Sequence, residues 1–165
     1  MHIVTVLGDI TEQEVDAVVN AANSSLMPGG GVDGAIHDAA GEELLAACLA
    51  LGGCDVGDAK YTAGFNLHAR WIIHTVGPIY RDGRHDEASL LTSCYVRSLE
   101  VADGLEVGTI AFPAISTGAF GYPEIDATRI ALSSLREATT NVKLAYLVAF
   151  DRRSYRRTVE LLDQS

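Results

Sequence analysis

Short apolar runs typical of buried strands alternate with segments of helical periodicity along the chain, and this alternation restricts the possible folds most. Six runs are predicted as strands, at residues 3–7, 17–19, 60–63, 71–76, 109–113 and 144–150. Spacing typical of one apolar helix face predicts helices at residues 32–50, with a break near Gly41, and at residues 87–102, 124–139 and 154–162. Strands that alternate with helices predict an α/β sandwich with a largely parallel central sheet.

The composition fits one folded domain that spans residues 1–165. The chain is 48% hydrophobic and 21% charged, and it contains no repeats and no linker-like stretch. No apolar run approaches the ~20 residues needed to span a bilayer, and the first residues enter a strand pattern without a basic leader. We therefore expect a single domain in the cytoplasm with no membrane partner, and a monomer as the default state.

The net charge of −10 restricts the partners of the chain. An acidic surface repels phosphate backbones at long range, which argues against general nucleic-acid binding. It does not exclude one small anion in a pocket, where backbone N–H groups and helix N-termini outweigh distant, screened carboxylates. Any phosphate site should therefore consist of backbone groups rather than lysine and arginine side chains.

A glycine-rich segment follows the second predicted strand and precedes a predicted helix. The glycines at positions 29–31 allow positive φ angles and close approach to a ligand, and the helix N-terminus supplies free N–H groups. The segment is neither a Walker loop nor a Rossmann fingerprint, since it lacks both spacings. The amides of Asn20 and Asn23 and the carboxylate of Asp33 suggest recognition of sugar hydroxyls. The alternative is a flexible loop in which Asp33 caps the helix.

A second glycine-rich segment, residues 113–123, follows the fifth predicted strand. Gly118 and Gly121 lie within it, and Ser116 and Thr117 add hydroxyl groups. Successive N–H groups in such a loop can form an anion-binding nest. Phe120 either packs against the core or covers the ring of a ligand. Two backbone-rich loops with almost no basic side chains match the requirement that the net charge sets.

A third segment, residues 8–14, comes directly after the first predicted strand. Thr11 and Glu14 have the spacing of a capping box, which is a structural interpretation. Asp9 is predicted to cap the same turn. As an alternative, its carboxylate at a strand end can accept a hydrogen bond from an exocyclic amine.

The cysteines and histidines give no sign of a disulfide framework or a metal centre. Cys48, Cys54 and Cys94 are odd in number, lack CxxC spacing, and have no neighbouring residues that complete a zinc set. Buried, unreactive thiols are the favoured interpretation. We expect chemistry that uses no metal and no cofactor.

Taken together, these segments resemble those of the macrodomains, and most closely the MacroD-type branch of ADP-ribosyl-acceptor hydrolases. The matching stretches occur in the family's order at residues 8–11, 15–23, 29–34 with 36–37, 73–78 and 113–123. One departure is Pro28, which stands where the family usually has the first of four glycines; it removes one N–H group and stiffens the loop. The resemblance implies a three-layer α/β/α fold with a mixed, mostly parallel six-stranded central sheet.

The resemblance also implies which residues contact ADP-ribose. Asp9 would accept from the adenine amino group with Ile10 against the ring, and Asn23 would hold the distal ribose. Phe150 resembles the aromatic residue that flanks adenine, although a core aromatic at a strand end is an equal alternative. The remaining expected contacts to the diphosphate and riboses are Asn20, Ala22, Gly30, Gly31, Val32, Ser116, Thr117, Gly118, Ala119, Phe120, Gly121 and Tyr122.

The activity implied is hydrolysis of the ester between ADP-ribose and Asp or Glu side chains of mono-ADP-ribosylated proteins, together with deacetylation of O-acetyl-ADP-ribose. Asp33, Asn23 and His37 are the catalytic candidates. Asp33 would orient or deprotonate the attacking water, and His37, one helical turn later, would face Asp33 or else be a solvated helix residue. The alternatives are a non-catalytic ADP-ribose reader and a phosphatase acting on ADP-ribose 1″-phosphate.

Overall fold

A computed structural model describes residues 1–164 and contains six strands and five α-helices, with a short 3₁₀ turn between the first two strands. The strands are β1 (His2–Leu7), β2 (Ala17–Ala21), β3 (Ala59–Ala63), β4 (Trp71–Thr75), β5 (Thr109–Phe112) and β6 (Leu144–Ala149). The helices are α1 (Gly31–Ala40), α2 (Glu43–Leu51), α3 (Glu87–Gly104), α4 (Glu124–Glu137) and α5 (Arg152–Asp163). Every strand and helix predicted from the sequence is present, with ends that differ by two residues or fewer.

All six strands form one sheet in the order β1-β6-β5-β2-β4-β3. Neighbouring strands are parallel except β3, which lies antiparallel to β4 at one edge. The predicted mixed, mostly parallel sheet is therefore confirmed. β2 and β5 lie in the middle, and their apolar side chains are buried on both faces, as expected for parallel strands covered by helices.

Apolar side chains fill both faces of the sheet. Ile36 of α1 and Leu44 of α2 pack with Val18 and Ile72 on one face. Tyr95 and Leu99 of α3 pack on the other face, in a cluster that also contains buried residues of α4. The helices thus form two outer layers around the sheet, which confirms the predicted three-layer architecture.

The predicted helix break at Gly41 separates α1 from α2. Gly41 has a φ of +92°, a conformation that favours glycine, and its N–H donates to the carbonyl of His37 at 3.1 Å. α5 begins after Asp151, whose side chain accepts from the N–H of Ser154 at 2.8 Å. Among residues 1–164, no helix combines the length and hydrophobicity needed to cross a membrane.

The sheet topology decides where the candidate site can form. The carboxyl ends of the five parallel strands meet at one edge of the sheet, so the segments after β1, β2, β4, β5 and β6 lie together there. Both glycine-rich segments are among them. This edge is the usual ligand position in open parallel sheets.

Candidate anion-binding site

The segment after β2 ends in an uncapped helix N-terminus. Gly30 precedes α1 with extended backbone, and no side chain bonds to the N–H groups of the first turn. Those groups, at Gly31, Val32 and Asp33, have no hydrogen-bond partner within residues 1–164. The positive end of the helix dipole is therefore exposed at the predicted phosphate position.

Asp33 lies buried in this first turn and is only 4% exposed. Its Oδ2 accepts from the N–H of Gly29 at 2.6 Å, and its Oδ1 accepts from the amide of Asn20 at 2.7 Å. His37 is also buried, with its Nε2 3.5 Å from Asp33 Oδ1. The alternative of a solvated His37 ring is therefore wrong, and His37 contacts Asp33. Asp33 is not the N-cap of α1, which is Gly30. Its carboxylate instead anchors the glycine loop to the first turn of α1.

Asn23 is engaged by its own loop. Its Nδ2 donates to the carbonyl of Met27 at 2.8 Å, and its Oδ1 accepts from the N–H of Ser25 at 3.1 Å. Asn23 still lies close to Asp33, because a Cβ added at Gly29 would be 3.3 Å from Asp33 Oδ2 and 3.4 Å from Asn23 Nδ2. In this conformation the amide shapes the loop; its contact with a ribose stays a prediction.

Asn20 and Ala22 take positions beneath the site rather than on its surface. Asn20 is fully buried and Ala22 nearly so. Both side chains are therefore closed to a ligand in this structure, which differs from the sequence expectation that they contact it. The reason is the end of β2: Asn20 still pairs in the sheet, so its side chain points under α1 toward Asp33.

Buried polar residues continue this contact across the sheet. Asn20 is paired in register with His74 on β4, and its Nδ2 lies 3.1 Å from His74 Nδ1. His74 Nε2 lies 3.0 Å from the hydroxyl of Thr62 on β3, which donates to the carbonyl of Ala63 at 3.1 Å. Burial, with a smaller effect from the charge of His37, lowers the pKa of His74 to about 4. Thr62 and His74 are not among the site residues predicted from the sequence, although a histidine inside the apolar run 71–76 is a signal of a buried polar contact.

The loop after β5 supplies the second set of free N–H groups. Ser116 has a φ of +67°, and its hydroxyl donates to the carbonyl of Pro78 at 2.8 Å. The N–H of Tyr122 donates back to the carbonyl of Ser116 at 2.8 Å, which closes the loop. Within residues 1–164, the N–H groups of Gly118, Ala119 and Phe120 have no partner. Successive free N–H groups are what the anion-binding nest predicted from the sequence requires, and the binding of an anion by this loop stays a prediction.

Gly77 permits the close contact between this loop and the segment after β4. A Cβ added at Gly77 would lie 2.1 Å from Ser116 Oγ and 2.8 Å from Ile115 Cγ2. We expect Gly77→Ala to displace Ser116 and weaken anion binding about tenfold, with an overpacking cost of about 1–3 kcal/mol. Calorimetric titration with ADP-ribose and thermal unfolding measure both effects. Gly104→Ala, where an added Cβ meets nothing within 4 Å, is the control; equal affinities in the two variants would contradict the expectation.

Aromatic side chains border the second loop. The carbonyl of Phe120 accepts from the N–H of Tyr80 at 2.8 Å, and the rings of Tyr80 and Tyr122 lie 4.8 Å apart between centroids. Tyr122 is buried, whereas Phe120 is half-buried and lines a cleft of about 360 Å³ with Pro78 and Ile79. Phe120 is thus placed to contact a bound molecule, while Tyr122 supports the loop from below. Among the residues that the structure describes, Thr117 bonds only within its own turn, to the carbonyl of Ala114.

The segment after β1 and the end of β6 lie side by side, since the N–H of Gly8 donates to the carbonyl of Ala149 at 3.0 Å. Asp9 Oδ1 accepts from the N–H of Thr11 at 2.9 Å and caps a short 3₁₀ turn, while Ile10 is buried. Phe150 is 89% exposed, so the alternative of a core aromatic is wrong. An exposed ring beside Asp9 fits a surface for a flat heterocycle, and contact with adenine stays a prediction.

The other reactive groups are occupied or shielded. Cys48, Cys54 and Cys94 are free and buried, and burial raises the pKa of each thiol, to about 11 for Cys48 and Cys94. One group of potential metal ligands occurs in the described chain, Asp82 with His85 and Glu87.

The carboxylate of Glu87 in that group is already saturated by backbone. It accepts from the N–H groups of Arg81, Gly83 and His85, and these bonds, with that of Arg81 the largest, lower its pKa to about 2. Glu87 therefore serves as the anchor of the loop before α3. A metal at this group would have to compete with those bonds.

An α/β/α sandwich whose loops at the carboxyl ends of the central strands carry free backbone N–H groups is an arrangement found in phosphate-binding domains. Residues 19–131 match the Macro domain family, and the chain belongs to this family. A macro domain-containing protein of Ralstonia nicotianae is 62% identical over 129 residues, which are 78% of this chain and 75% of that protein. A macro domain-containing protein of Listeria monocytogenes is 47% identical over 172 residues, covering 99% of this chain and 98% of that protein.

Solved structures give the same family. A variant of the Oceanobacillus iheyensis macrodomain, solved with ADPR, superposes with a TM-score of 0.92 at 42% identity and covers 97% of this chain and 91% of its own. The Trypanosoma brucei macrodomain in complex with ADP-ribose has a TM-score of 0.88 at 38% identity, with 96% of this chain and 68% of its own covered. The predicted membership of the macrodomain family is confirmed.

Proposed function

We propose that this chain binds ADP-ribose and hydrolyses the ester that joins it to Asp and Glu side chains of modified proteins, as a metal-independent enzyme of the MacroD type. One observation carries the proposal. The buried carboxylate of Asp33 lies in the same helical turn as the free N–H groups of α1, so a ligand bound there has a carboxylate beside it. A module that only binds a diphosphate has no need of a buried negative charge at that point.

The choice of ligand rests on the backbone donors. The free N–H groups of α1 and of the loop at residues 118–120 can share the two phosphates of a diphosphate without any basic side chain, as the charge of −10 requires. Exposed Phe150 beside Asp9 offers a surface for adenine. The Oceanobacillus and Trypanosoma macrodomains, solved with ADPR and ADP-ribose, support the same ligand here.

The hydrolysis requires few catalytic groups from the protein. Water attacks C1″ of the distal ribose, the C1″–O bond to the acceptor breaks, and the acceptor leaves as a carboxylate with the electron pair of that bond. Because a carboxylate is a good leaving group, the enzyme needs to orient the water, accept its proton and stabilise positive charge on the sugar. Asp33 supplies the oxygen for the first two tasks, with the diphosphate of the substrate assisting, and Asn23 fixes the sugar. Acetate leaves in the same way from O-acetyl-ADP-ribose that carries the acetyl group on C1″.

Substrate binding has to change the glycine loop for this step. Asp33 is 4% exposed because Gly29 lies over it, with the N–H of Gly29 bonded to Asp33 Oδ2. A water on C1″ reaches a carboxylate oxygen only when that loop shifts. Pro28 precedes the loop and restricts its start, whereas Gly30 and Gly31 have open space around their Cα atoms. The shift is therefore expected at Gly30 and Gly31.

The test uses the purified wild-type chain and a protein that carries mono-ADP-ribose on a glutamate side chain. We expect release of ADP-ribose, micromolar or tighter binding of free ADP-ribose by calorimetry, and unchanged turnover in EDTA. Binding without release identifies a reader instead. Release of phosphate from ADP-ribose 1″-phosphate alone identifies the phosphatase, and loss of activity in EDTA contradicts the metal-independent mechanism. The monomeric state and the cytoplasmic location are further predictions that this experiment does not address.

A further inference from the structure

We propose that Thr62 and His74 position Asp33 from a distance, by deciding which nitrogen of His74 carries its proton. The proposal rests on the hydrolase function, because its kinetic consequence is exerted through Asp33. Neither residue borders the anion-binding loops: Thr62 lies on the edge strand β3, His74 lies on β4, and both are buried. They reach Asp33 through Asn20.

The direction of each hydrogen bond follows from the number of hydrogens available. The Thr62 hydroxyl lies 3.1 Å from the carbonyl oxygen of Ala63 and 3.0 Å from His74 Nε2. Because a carbonyl oxygen can only accept, we assign the single hydroxyl hydrogen to that bond, so that the hydroxyl accepts from His74 Nε2. With this assignment Nε2 carries the proton. At neutral pH the ring is uncharged, since burial lowers its pKa to about 4, and Nδ1 is left as an acceptor.

The acceptor at Nδ1 fixes the amide of Asn20. Nδ2 of Asn20 donates one hydrogen to His74 Nδ1, which is 3.1 Å away, and its second hydrogen to Asp33 Oδ1 at 2.7 Å. This orientation of the Asn20 amide has a cost in free energy, because Asn20 Oδ1 is buried with no hydrogen-bond partner among residues 1–164. The flipped amide would place Oδ1 against two acceptors, His74 Nδ1 and Asp33, and would lose both bonds. The observed orientation is retained only while Nδ1 is unprotonated.

Loss of the Thr62 hydroxyl removes the constraint at its origin. The proton of His74 is then free to move to Nδ1, which becomes a donor, and Asn20 turns its Oδ1 toward it. Asp33 Oδ1 then loses its hydrogen-bond donor, Asn20. The orientation of the Asp33 carboxylate is therefore no longer fixed by β2 as well as by α1. Water cannot replace the bond that Asn20 loses, because Asn20 and His74 are fully buried.

The test compares Thr62→Val with Thr62→Ser. Valine keeps the branched shape suited to a strand, and serine keeps the hydroxyl. Long-range proton–nitrogen NMR on His74 is expected to show the Nε2-protonated ring in the wild type and in Thr62→Ser, and a shift toward the Nδ1-protonated ring in Thr62→Val. Turnover of Thr62→Val should fall about tenfold or more with KM within about twofold, and Thr62→Ser should restore it.

A Thr62→Val variant that keeps both the wild-type tautomer and the wild-type kcat overturns the proposal. So does a variant that loses activity while His74 keeps its proton on Nε2, since that effect is structural. If the wild type proves to bind ADP-ribose without cleaving it, the hydrolase function fails, and the NMR comparison still decides whether Thr62 sets the tautomer of His74. Should Thr62→Val not fold, His74→Asn, whose Oδ1 can stand in for Nδ1, is expected to retain turnover that His74→Leu loses.

Discussion

Replacing Asp33 with alanine is expected to lower kcat by about 10²–10⁴-fold, the range for loss of a positioned general base. ADP-ribose affinity should change less than about tenfold, because the phosphate donors are backbone N–H groups that the substitution leaves in place. The two measurements are release of ADP-ribose from a glutamate-linked substrate and calorimetric titration with free ADP-ribose. Asp38→Ala is the matched control, since Asp38 lies on the same helix and is exposed.

The split between kcat and binding is what identifies the role of Asp33. Its carboxylate also anchors the loop, through the N–H of Gly29, and it accepts from Asn20. Alanine leaves both donors without their partner, at a cost of about 1–3 kcal/mol for the buried amide of Asn20, whereas Gly29 is exposed and its N–H group can bond water. If anchoring were the whole role, affinity would fall and kcat would stay at the wild-type value. Thermal unfolding of Asp33→Ala and Asp38→Ala shows how much of any loss comes from stability.

The fold was predictable because local pattern and tertiary structure agree. The runs at residues 71–76 and 109–113 are apolar on both faces, which only a covered central strand requires, and Gly41 marks a helix end by its chemistry. The order of the strands in the sheet, in contrast, could not be predicted from local sequence pattern. Nothing in the segments β1 and β6 indicates that they pair, since His2 and its partner Leu144 are 142 positions apart in the chain, and their register is fixed by the twist and packing of the whole sheet.

Some features of the candidate site could likewise be predicted from the sequence, and others could not. The glycine loops and Asp33 were found because backbone donors and a helix start leave local signals. Thr62, His74 and Asn20 come from three different strands, and their contact depends on the parallel register of β2 with β4 and the antiparallel register of β3 with β4. Sequence spacing carries no information on that register. The same limit applied to Phe150, for which exposure decided between core and surface.

The free energy of unfolding is expected to fall by about 3 kcal/mol between pH 7 and pH 4 because of His74 alone. Its pKa is about 4 in the folded protein, lowered by burial from an ordinary value of 6.5. Above pH 6.5 the ring is neutral in both the folded and unfolded chains, so its contribution is fully present. Between pH 6.5 and 4 the unfolded chain binds a proton that the folded chain does not, and stability is lost as the pH falls.

Denaturant unfolding of the wild type and of His74→Asn at several pH values between 4 and 7.5 isolates this contribution. Carboxylates that titrate in the same range are present in both proteins, so their contributions cancel in the difference. The difference in unfolding free energy should favour the wild type most above pH 6.5 and shrink by about 3 kcal/mol at pH 4. A difference that does not change with pH would mean that the pKa of His74 in the folded protein equals its ordinary value of 6.5, so that the folded protein binds the proton below that pH. A protonated Nδ1 cannot accept from Asn20, so the hydrogen-bond pattern that orients Asp33 would then be lost below pH 6.5.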